Sequence, residues 1–188
     1  MPRVVAGKYR GIILDAPKGD KTRPTTDKVK EALFSIIQTR VPECDFADIF
    51  AGTGGIGIEA LSRGANSVVL VEKAGQACAV IKNNLAKLRI DKEDNIELIK
   101  MGFDAALEKF AAEGRKFDVI FMDPPYRMAQ KAAQVAASII MEQDLLNEDG
   151  ILIVEHSSDL PFVTDVMNMK PIRSCSYGLA VLTFFSKS

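Results

Sequence analysis

The sequence predicts an α/β fold, in which a mostly parallel β-sheet carries helices on both faces. The first observation is that segments typical of strands and helices alternate through most of the 188 residues. The second is that the strand segments are continuous apolar runs, which indicates burial on both faces of the sheet. The third is that the last two β-rich runs have no helical segment between them, so they should pair antiparallel at one edge.

The individual elements follow from local patterns. The segment RVVAGKYRGIILDAP predicts a hairpin of two short strands around Gly7 and Lys8. A helix is expected in DKVKEALFSIIQTR, capped by Thr25 or Thr26, because its apolar residues recur at helical spacing. Beyond it we expect strands at 46–51, 67–72, 96–100, 117–123 and 150–156, with helices at 55–64, 74–88, 104–113 and within 129–142. Two final strands near 172–178 and 180–186, joined by a tight turn at Tyr177–Gly178, bring the predicted sheet to seven strands.

Composition indicates one ordinary globular domain. The hydrophobic fraction of 47% suffices for a sizeable core, and no run reaches the roughly 20 apolar residues that cross a bilayer. The N-terminus does not resemble a signal peptide, so a cytoplasmic protein is expected. Three widely spaced cysteines and a single histidine argue against a zinc site, a disulfide framework or a metal centre.

Charge is distributed unevenly along the chain. Residues 1–30 contain eight Lys or Arg and three Asp, a net charge of +5, whereas the remainder carries −6. A basic segment on an acidic body is typical of a protein that grips a polyanion at one end. We therefore divide the chain into a basic hairpin extension, residues 1–22, and a main domain, residues 23–188.

A glycine-rich loop between a strand and a helix predicts a nucleotide-like cofactor. Gly52, Gly54 and Gly57 form a GxGxxG pattern, and Glu72 ends the next strand 20 residues after the first glycine, where it can accept hydrogen bonds from a ribose. This pattern alone fits both NAD and S-adenosylmethionine. Asp48 favours the second, because a carboxylate there suits an ammonium group and would repel a pyrophosphate.

The segment after the third strand supports the same choice. Asp104 offers an acceptor for an adenine amino group, and Phe103 is an apolar neighbour for the ring. The whole constellation lies at the strand ends where doubly wound sheets bind their ligands.

A DPPY turn, residues 123–126, follows the fourth strand and predicts transfer to an amine. A nucleobase amine is a poor nucleophile because its lone pair is delocalised into the ring. Asp123 and the carbonyl of Pro124 can accept both amine hydrogens and so favour an exposed lone pair, while Pro125 fixes the backbone. Tyr126 can stack on an extruded base.

These motifs resemble a known family. DPPY is similar to the motif of amino-methyltransferases that use S-adenosylmethionine. The order RVVAGKYRG, RPTTDKVKEALF, DIFAGTGGIGIEALSRG, VEK and DPPY resembles the bacterial small-subunit (16S) ribosomal RNA guanine-N2 methyltransferases over nearly the whole chain. The resemblance implies a Rossmann-like S-adenosylmethionine methyltransferase fold and transfer to the N2 amine of a flipped guanine, with S-adenosylhomocysteine as product.

The resemblance also implies the site residues. The catalytic set is Asp123, Pro124, Pro125 and Tyr126. The cofactor set is Asp48, Phe50, Ala51, Gly52, Thr53, Gly54, Gly57, Glu72, Lys73, Phe103, Asp104 and Asp123. The set for ribosomal RNA, free or within an assembly particle, is Arg3, Lys8, Tyr9, Arg10, Arg23, Thr25 and Thr26. A monomer without a metal is expected.

Other functions remain open at the level of sequence. A DPPY-type enzyme can act on adenine N6 or on a protein glutamine, although glutamine methylators usually carry Asn at the position of Asp123. An NAD-dependent oxidoreductase would leave the DPPY turn unexplained. A non-catalytic RNA-binding module would be indicated by a failure to bind the cofactor.

Overall fold

The computed structural model describes residues 2–17, 27–166 and 169–187 and shows one seven-stranded sheet between two layers of helices. The α-helices of these described residues are α1 (Asp27–Ile36), α2 (Gly55–Ser62), α3 (Gly75–Leu88), α4 (Phe103–Ala112) and α5 (Ala129–Glu142). The strands are β1 (Asp45–Ile49), β2 (Ser67–Val71), β3 (Ile96–Ile99), β4 (Phe117–Met122), β5 (Leu146–Ser157), β6 (Met169–Tyr177) and β7 (Ala180–Lys187).

The strand order is β3-β2-β1-β4-β5-β7-β6. The first five strands in this order are parallel, and β7 pairs antiparallel with both β5 and β6. The predicted α/β class, the seven strands and the antiparallel edge are therefore confirmed. The order reverses between β1 and β4, which is the point where sheets of this kind bind ligands.

Each face of the sheet has its own apolar core. Helices α1, α2 and α3 cover one face, where Phe34, Phe46, Ile58 and Phe121 are fully buried. Helices α4 and α5 cover the other, where a run of alanines in α5 allows that helix to pack closely on the sheet. Alternate residues of β1, β4 and β5 enter opposite cores, as the twofold period of a strand requires.

The N-terminal arm, which we define as residues 2–17, differs from the predicted hairpin. The chain reverses around Gly7 and Lys8 as predicted, and Val4 donates to the Ile12 carbonyl across the arm at 2.9 Å, but the pairing is one antiparallel bridge, between Arg3 and Ile13, and not two regular strands. The reason is that its amides have other acceptors. Val5 and Ala6 donate to the carboxylate of Glu59, a residue of α2, at 2.7 and 2.9 Å, so a regular ladder cannot extend towards the tip.

The arm is also part of the main core. Val4 and Leu14 are 1% and 0% exposed and pack in the cluster that contains α1 and α2. The buried side chains of the arm therefore pack in the same apolar core as residues that we assigned to the main domain.

Smaller differences concern ends and caps. Helix α1 ends at Ile36, four residues before the predicted end: Ile37 still donates to the Leu33 carbonyl at 3.1 Å, and the Arg40 amide then bonds to Ile37 in a turn. The predicted caps Thr25 and Thr26 lie outside the described residues, as does Arg23.

All three cysteines are free thiols, with Cys44 and Cys78 buried and Cys175 half-buried. None of the helices in the described ranges is long and apolar enough to cross a membrane.

Candidate active site

Strand register brings the predicted site residues to one edge of the sheet. Ile49 of β1 is level with Val71 of β2 and with Met122 of β4. The residues that follow these three, Phe50, Glu72 and Asp123, therefore leave the sheet side by side at its carboxyl edge.

The glycine loop begins with an unusual backbone conformation. Phe50 has a φ of 71°, in the left-handed region that non-glycine residues rarely adopt. Gly52 and Gly54 follow with φ of 56° and 77°, and a Cβ on Gly52 would meet nothing closer than 4.0 Å. The loop closes with a hydrogen bond of 2.7 Å from the Gly54 amide to the Ala51 carbonyl. Left-handed residues at every second position, Phe50, Gly52 and Gly54, give a tight turn that leaves the main chain open to a ligand.

Gly57 serves the packing of α2 on the sheet. A Cβ there would lie 2.3 Å from Leu70 Cδ2 and 2.9 Å from Val68 Cγ1, so only glycine allows this approach. Its amide donates to Asp48 Oδ2 at 2.9 Å. Both residues therefore take part in the contact between α2 and the sheet, and their predicted contact with the cofactor remains a prediction.

Asp48 is a buried carboxyl with a perturbed pKa. It is 2% exposed, and burial is the main cause that raises its pKa to about 7. The hydrogen bond from Gly57 opposes this rise, whereas the charges of Asp123 and Glu72 add to it. Three carboxylates thus converge at this edge, and a cation placed among them would relieve their repulsion.

Glu72 fastens two segments of the site. Its Oε2 accepts from the Gly52 amide at 3.0 Å, and its Oε1 accepts from the Ala74 amide at 2.8 Å. The predicted ribose contact is untested. In this arrangement the Glu72 carboxylate holds the glycine loop against the start of α3. Lys73, which the sequence also assigned to the cofactor, is exposed.

An aromatic pair forms the apolar part of the site. The rings of Phe50 and Phe103 lie 5.0 Å apart between centroids, and both are half-buried. Asp104 is exposed in the first turn of α4, where its Oδ1 accepts from the Ala105 amide at 2.9 Å. The two rings thus offer an apolar surface, and the exposed Asp104 follows Phe103 directly in the chain.

The DPPY turn ends β4 as predicted. The Asp123 amide still donates to the Ile49 carbonyl at 3.4 Å, after which Pro124 is buried and Pro125 is exposed. Tyr126 begins a short 3₁₀ turn, closed by a bond of 2.8 Å from the Met128 amide to the Pro125 carbonyl, and α5 follows directly. The half-buried Tyr126 thus lies next to the strand end that carries Asp123.

Among the described residues predicted for RNA, Lys8 and Tyr9 are attached to the end of α2 that lies away from this edge. Tyr9 and Lys8 donate their amides to the side-chain and main-chain oxygens of Ser62, at 2.9 and 2.8 Å. Ser62 is the last residue of α2, whereas the glycine loop lies at its first residue. The Lys8 ammonium lies 5.0 Å from the centre of the Tyr9 ring, and Arg10 is exposed.

Arg3 is less available than the other basic residues of the arm. Its Nε donates to Asp27 Oδ2 at 3.0 Å, although the side chain is still 56% exposed. Its carbonyl accepts a hydrogen bond from the buried Lys30. Part of its charge is therefore already compensated within the protein.

Three buried polar residues were missed by the sequence analysis. Glu59 is 0% exposed and forms ion pairs with Arg63 at 2.8 Å and Lys30 at 3.6 Å, besides accepting the two arm amides. Asn84 of α3 is 0% exposed and bonds to both the arm and the glycine loop. Glu155 is 3% exposed and follows Val154, which is level with Met122. The only available signal was a polar residue at an apolar position of its helix or strand.

The site has no grouping suited to a metal. Within the described parts of the chain, no cluster of His, Cys, Asp or Glu could hold a metal ion. His156 instead stacks on Phe162, with ring centroids 3.9 Å apart, and its Nε2 lies 2.9 Å from Thr183 Oγ1. Burial lowers the pKa of His156 and so favours the neutral form of the ring.

The fold and the carboxyl-edge site define the class of this protein, which has the Rossmann-like fold of S-adenosylmethionine-dependent methyltransferases. A solved structure from Escherichia coli, provisionally described as the methyltransferase yhhF, has a TM-score of 0.81 to this chain at 28% identity. The match covers 99% of this chain and 97% of the other.

A family model described as Conserved hypothetical protein 95 matches residues 2–186, and the chain belongs to that family. A Bacillus subtilis relative, provisionally named rRNA methyltransferase YlbH, is 35% identical over 185 residues, 98% of each chain. Ribosomal RNA small subunit methyltransferase D of Haemophilus influenzae is 33% identical over 162 residues, 86% of this chain and 82% of that protein. The family resemblance predicted from the motifs is therefore confirmed.

Proposed function

We propose that this protein methylates small-subunit ribosomal RNA, using S-adenosylmethionine, at the exocyclic N2 amine of a guanine. The observation that carries the proposal is the position of the DPPY turn. It leaves the sheet directly beside the glycine loop, with Asp123 level with Phe50 and Glu72. An amine-orienting motif thus borders the predicted cofactor loop.

The residues at the carboxyl edge fit S-adenosylmethionine. Its ammonium and sulfonium groups are positive and would be attracted by the carboxylates of Asp48, Glu72 and Asp123. These carboxylates are close together, because the charges of Asp123 and Glu72 add to the effect of burial in raising the pKa of Asp48. The Phe50–Phe103 pair suits the adenine ring. When bound, the cofactor supplies an electrophilic methyl carbon, and the electron pair of the breaking carbon–sulfur bond stays on sulfur.

Asp123 and the backbone of Pro124 would orient the acceptor amine. Their oxygens accept its two hydrogens, which holds the nitrogen lone pair out of conjugation and in line with the incoming methyl carbon. Positive charge grows on nitrogen during transfer, and a carboxylate at hydrogen-bond distance would stabilise that change. The methylated nitrogen then releases one proton, which would pass to Asp123 or to water. Tyr126 would stack on the flipped base.

The arm supports a macromolecular substrate. Helix α2 has eight residues, so at 1.5 Å each about 12 Å separates the glycine loop from Ser62, where Lys8 and Tyr9 are attached. A free nucleoside would not reach both positions, whereas an RNA strand can place one base at the edge and its phosphates along α2. An RNA substrate of this kind would make the protein cytoplasmic.

The proposal is tested by single-turnover methyl transfer. Purified protein and saturating S-adenosylmethionine are mixed with small-subunit ribosomal RNA, either free or in assembled subunits, and the digested nucleosides are analysed by mass spectrometry. We expect N2-methylguanosine. Methylated adenosine, or methylation of protein glutamine only, would support one of the alternative amines, and absence of any transfer would contradict the proposal.

A further inference from the structure

We propose that Asn84 is a positioning residue that links the RNA-binding arm to the cofactor loop, so that the two ligands strengthen each other's binding. The inference rests on the proposed function for the identity of the ligands. It concerns a residue of α3 that belongs to neither of the predicted binding sets.

The contacts of Asn84 join two distant segments. Its Oδ1 accepts from the Asp15 amide at 2.7 Å, and its Nδ2 donates to the Asp15 carbonyl at 3.2 Å. The same Nδ2 donates to the Thr53 carbonyl at 3.0 Å. Both donors and the acceptor of the amide are therefore used, in a side chain that is 0% exposed.

Both partners of Asn84 are backbone groups at critical positions. Thr53 lies between Gly52 and Gly54, so its carbonyl belongs to the tight turn of the cofactor loop. Asp15 lies near the end of the arm, just after the buried Leu14. A Cβ on Gly55 would be 4.0 Å from Leu14 Cδ1, which shows that the arm contacts the start of α2 as well.

This arrangement makes the order of one segment depend on the other. A cofactor that fixes the glycine loop also fixes the Thr53 carbonyl, and through Asn84 the Asp15 backbone. RNA that engages the arm then loses less conformational freedom on binding, which is positive coupling without a large structural change. By linkage, RNA increases cofactor affinity by the same factor.

The test measures this factor directly. The dissociation constant of a small-subunit ribosomal RNA fragment is determined with and without saturating S-adenosylhomocysteine, and that of S-adenosylhomocysteine with and without the RNA. For the wild type we expect both ratios to agree and to be at least about fivefold. For Asn84→Ala we expect both ratios to approach one.

Matched variants separate linkage from general damage. Asp15→Asn removes the exposed ion pair with Lys87, 3.1 Å long, but keeps all three bonds of Asn84, so its ratio should equal that of the wild type. Asn84→Leu has nearly the same shape and loses all three bonds without burying a charge, so it answers the question if the alanine variant does not fold. Its ratio should also approach one.

Three outcomes would overturn the inference. A wild-type ratio of one excludes coupling, and a ratio that Asn84→Ala leaves unchanged while both affinities fall assigns Asn84 a purely structural role. A ratio changed equally by Asp15→Asn would place the coupling in the surface ion pair. Failure of the wild type to bind either ligand would instead overturn the proposed function, together with this inference.

Discussion

Substitution of Gly7 tests whether the arm is fixed to the methyltransferase fold through α2. Gly7 has a φ of 80°, and a Cβ there would lie 1.8 Å from the Ser62 carbonyl oxygen. Since that oxygen is backbone, Gly7→Ala must push the tip of the arm off the helix. Gly11 is the matched control, because it also has a positive φ, of 87°, but nothing within 4 Å of an added Cβ.

The magnitude follows from the bonds at this contact. Displacing the tip breaks the bonds from Lys8 and Tyr9 to Ser62, and the bond of 2.6 Å from the Ser62 hydroxyl to the Ala6 carbonyl. Three hydrogen bonds at about 0.5–1.5 kcal/mol each give a loss of about 2–4 kcal/mol. Both variants also bear about 1–2 kcal/mol for a left-handed alanine.

Urea unfolding at equilibrium measures this difference. We expect Gly7→Ala to lower the free energy of unfolding by about 2–4 kcal/mol more than Gly11→Ala does. RNA affinity should fall with it, while S-adenosylhomocysteine affinity without RNA stays near the wild-type value. Equal losses in the two glycine variants would refute the docking of the arm on α2.

Three further predictions concern charge. Because the pKa of Asp48 is raised to about 7 from an ordinary 3.8, its contribution to stability is complete below pH 4 and is lost as pH rises through 7. As pH rises from 5 to 8, the wild type should therefore lose about 2–3 kcal/mol of unfolding free energy relative to Asp48→Asn, which carries no titrating group at this position. Urea unfolding across this range measures the difference, and parallel pH curves for the two proteins would contradict the prediction. Glu72→Ala should weaken S-adenosylhomocysteine binding by about 1–3 kcal/mol in calorimetry, and unchanged affinity would remove Glu72 from the site. Replacing Arg3, Lys8 and Arg10 with Gln should reduce the slope of log K for RNA binding against log salt concentration by about 0.7–0.9 per lost phosphate contact. The effect should be smallest for Arg3, because it pairs with Asp27. An unaltered slope would exclude phosphate contacts by these residues.

The sheet and its carboxyl edge were predictable because their signals are local. Continuous apolar runs identify strands that are buried on both faces, and two prolines after Asp123 end a strand in any context. Parallel strands then bring their carboxyl ends together, which is why Gly52, Glu72 and Asp123 could be assigned to one edge before their positions were known.

The attachment of the arm was not predictable, since it depends on pairs distant in sequence. Glu59 accepts amides 53 and 54 residues away, and Asn84 bonds to a residue 69 positions away. The local sequence favours a regular hairpin, and it contains no information about the carboxylate on α2 that binds the arm's amides instead. The hydrogen bond from the Gly57 amide to Asp48 was likewise not predictable, and the contact of Asp48 with the cofactor stays a prediction.

The central claim is that Asp123 orients a guanine amine of small-subunit ribosomal RNA for methylation. It is tested most directly by mass spectrometry of small-subunit ribosomal RNA nucleosides from cells that lack this protein and are complemented with the wild type or with Asp123→Asn. The amide keeps the shape of the side chain but loses the charge that stabilises positive nitrogen, at a cost of about 2–4 kcal/mol in transfer.

We expect N2-methylguanosine at one position to be absent from the deletion strain, restored by the wild type, and formed by purified Asp123→Asn about thirty- to a thousand-fold more slowly. The matched Tyr126→Ala variant should instead weaken RNA capture by about 1–3 kcal/mol. An unchanged nucleoside profile in the deletion strain, or wild-type transfer by Asp123→Asn, would contradict the account.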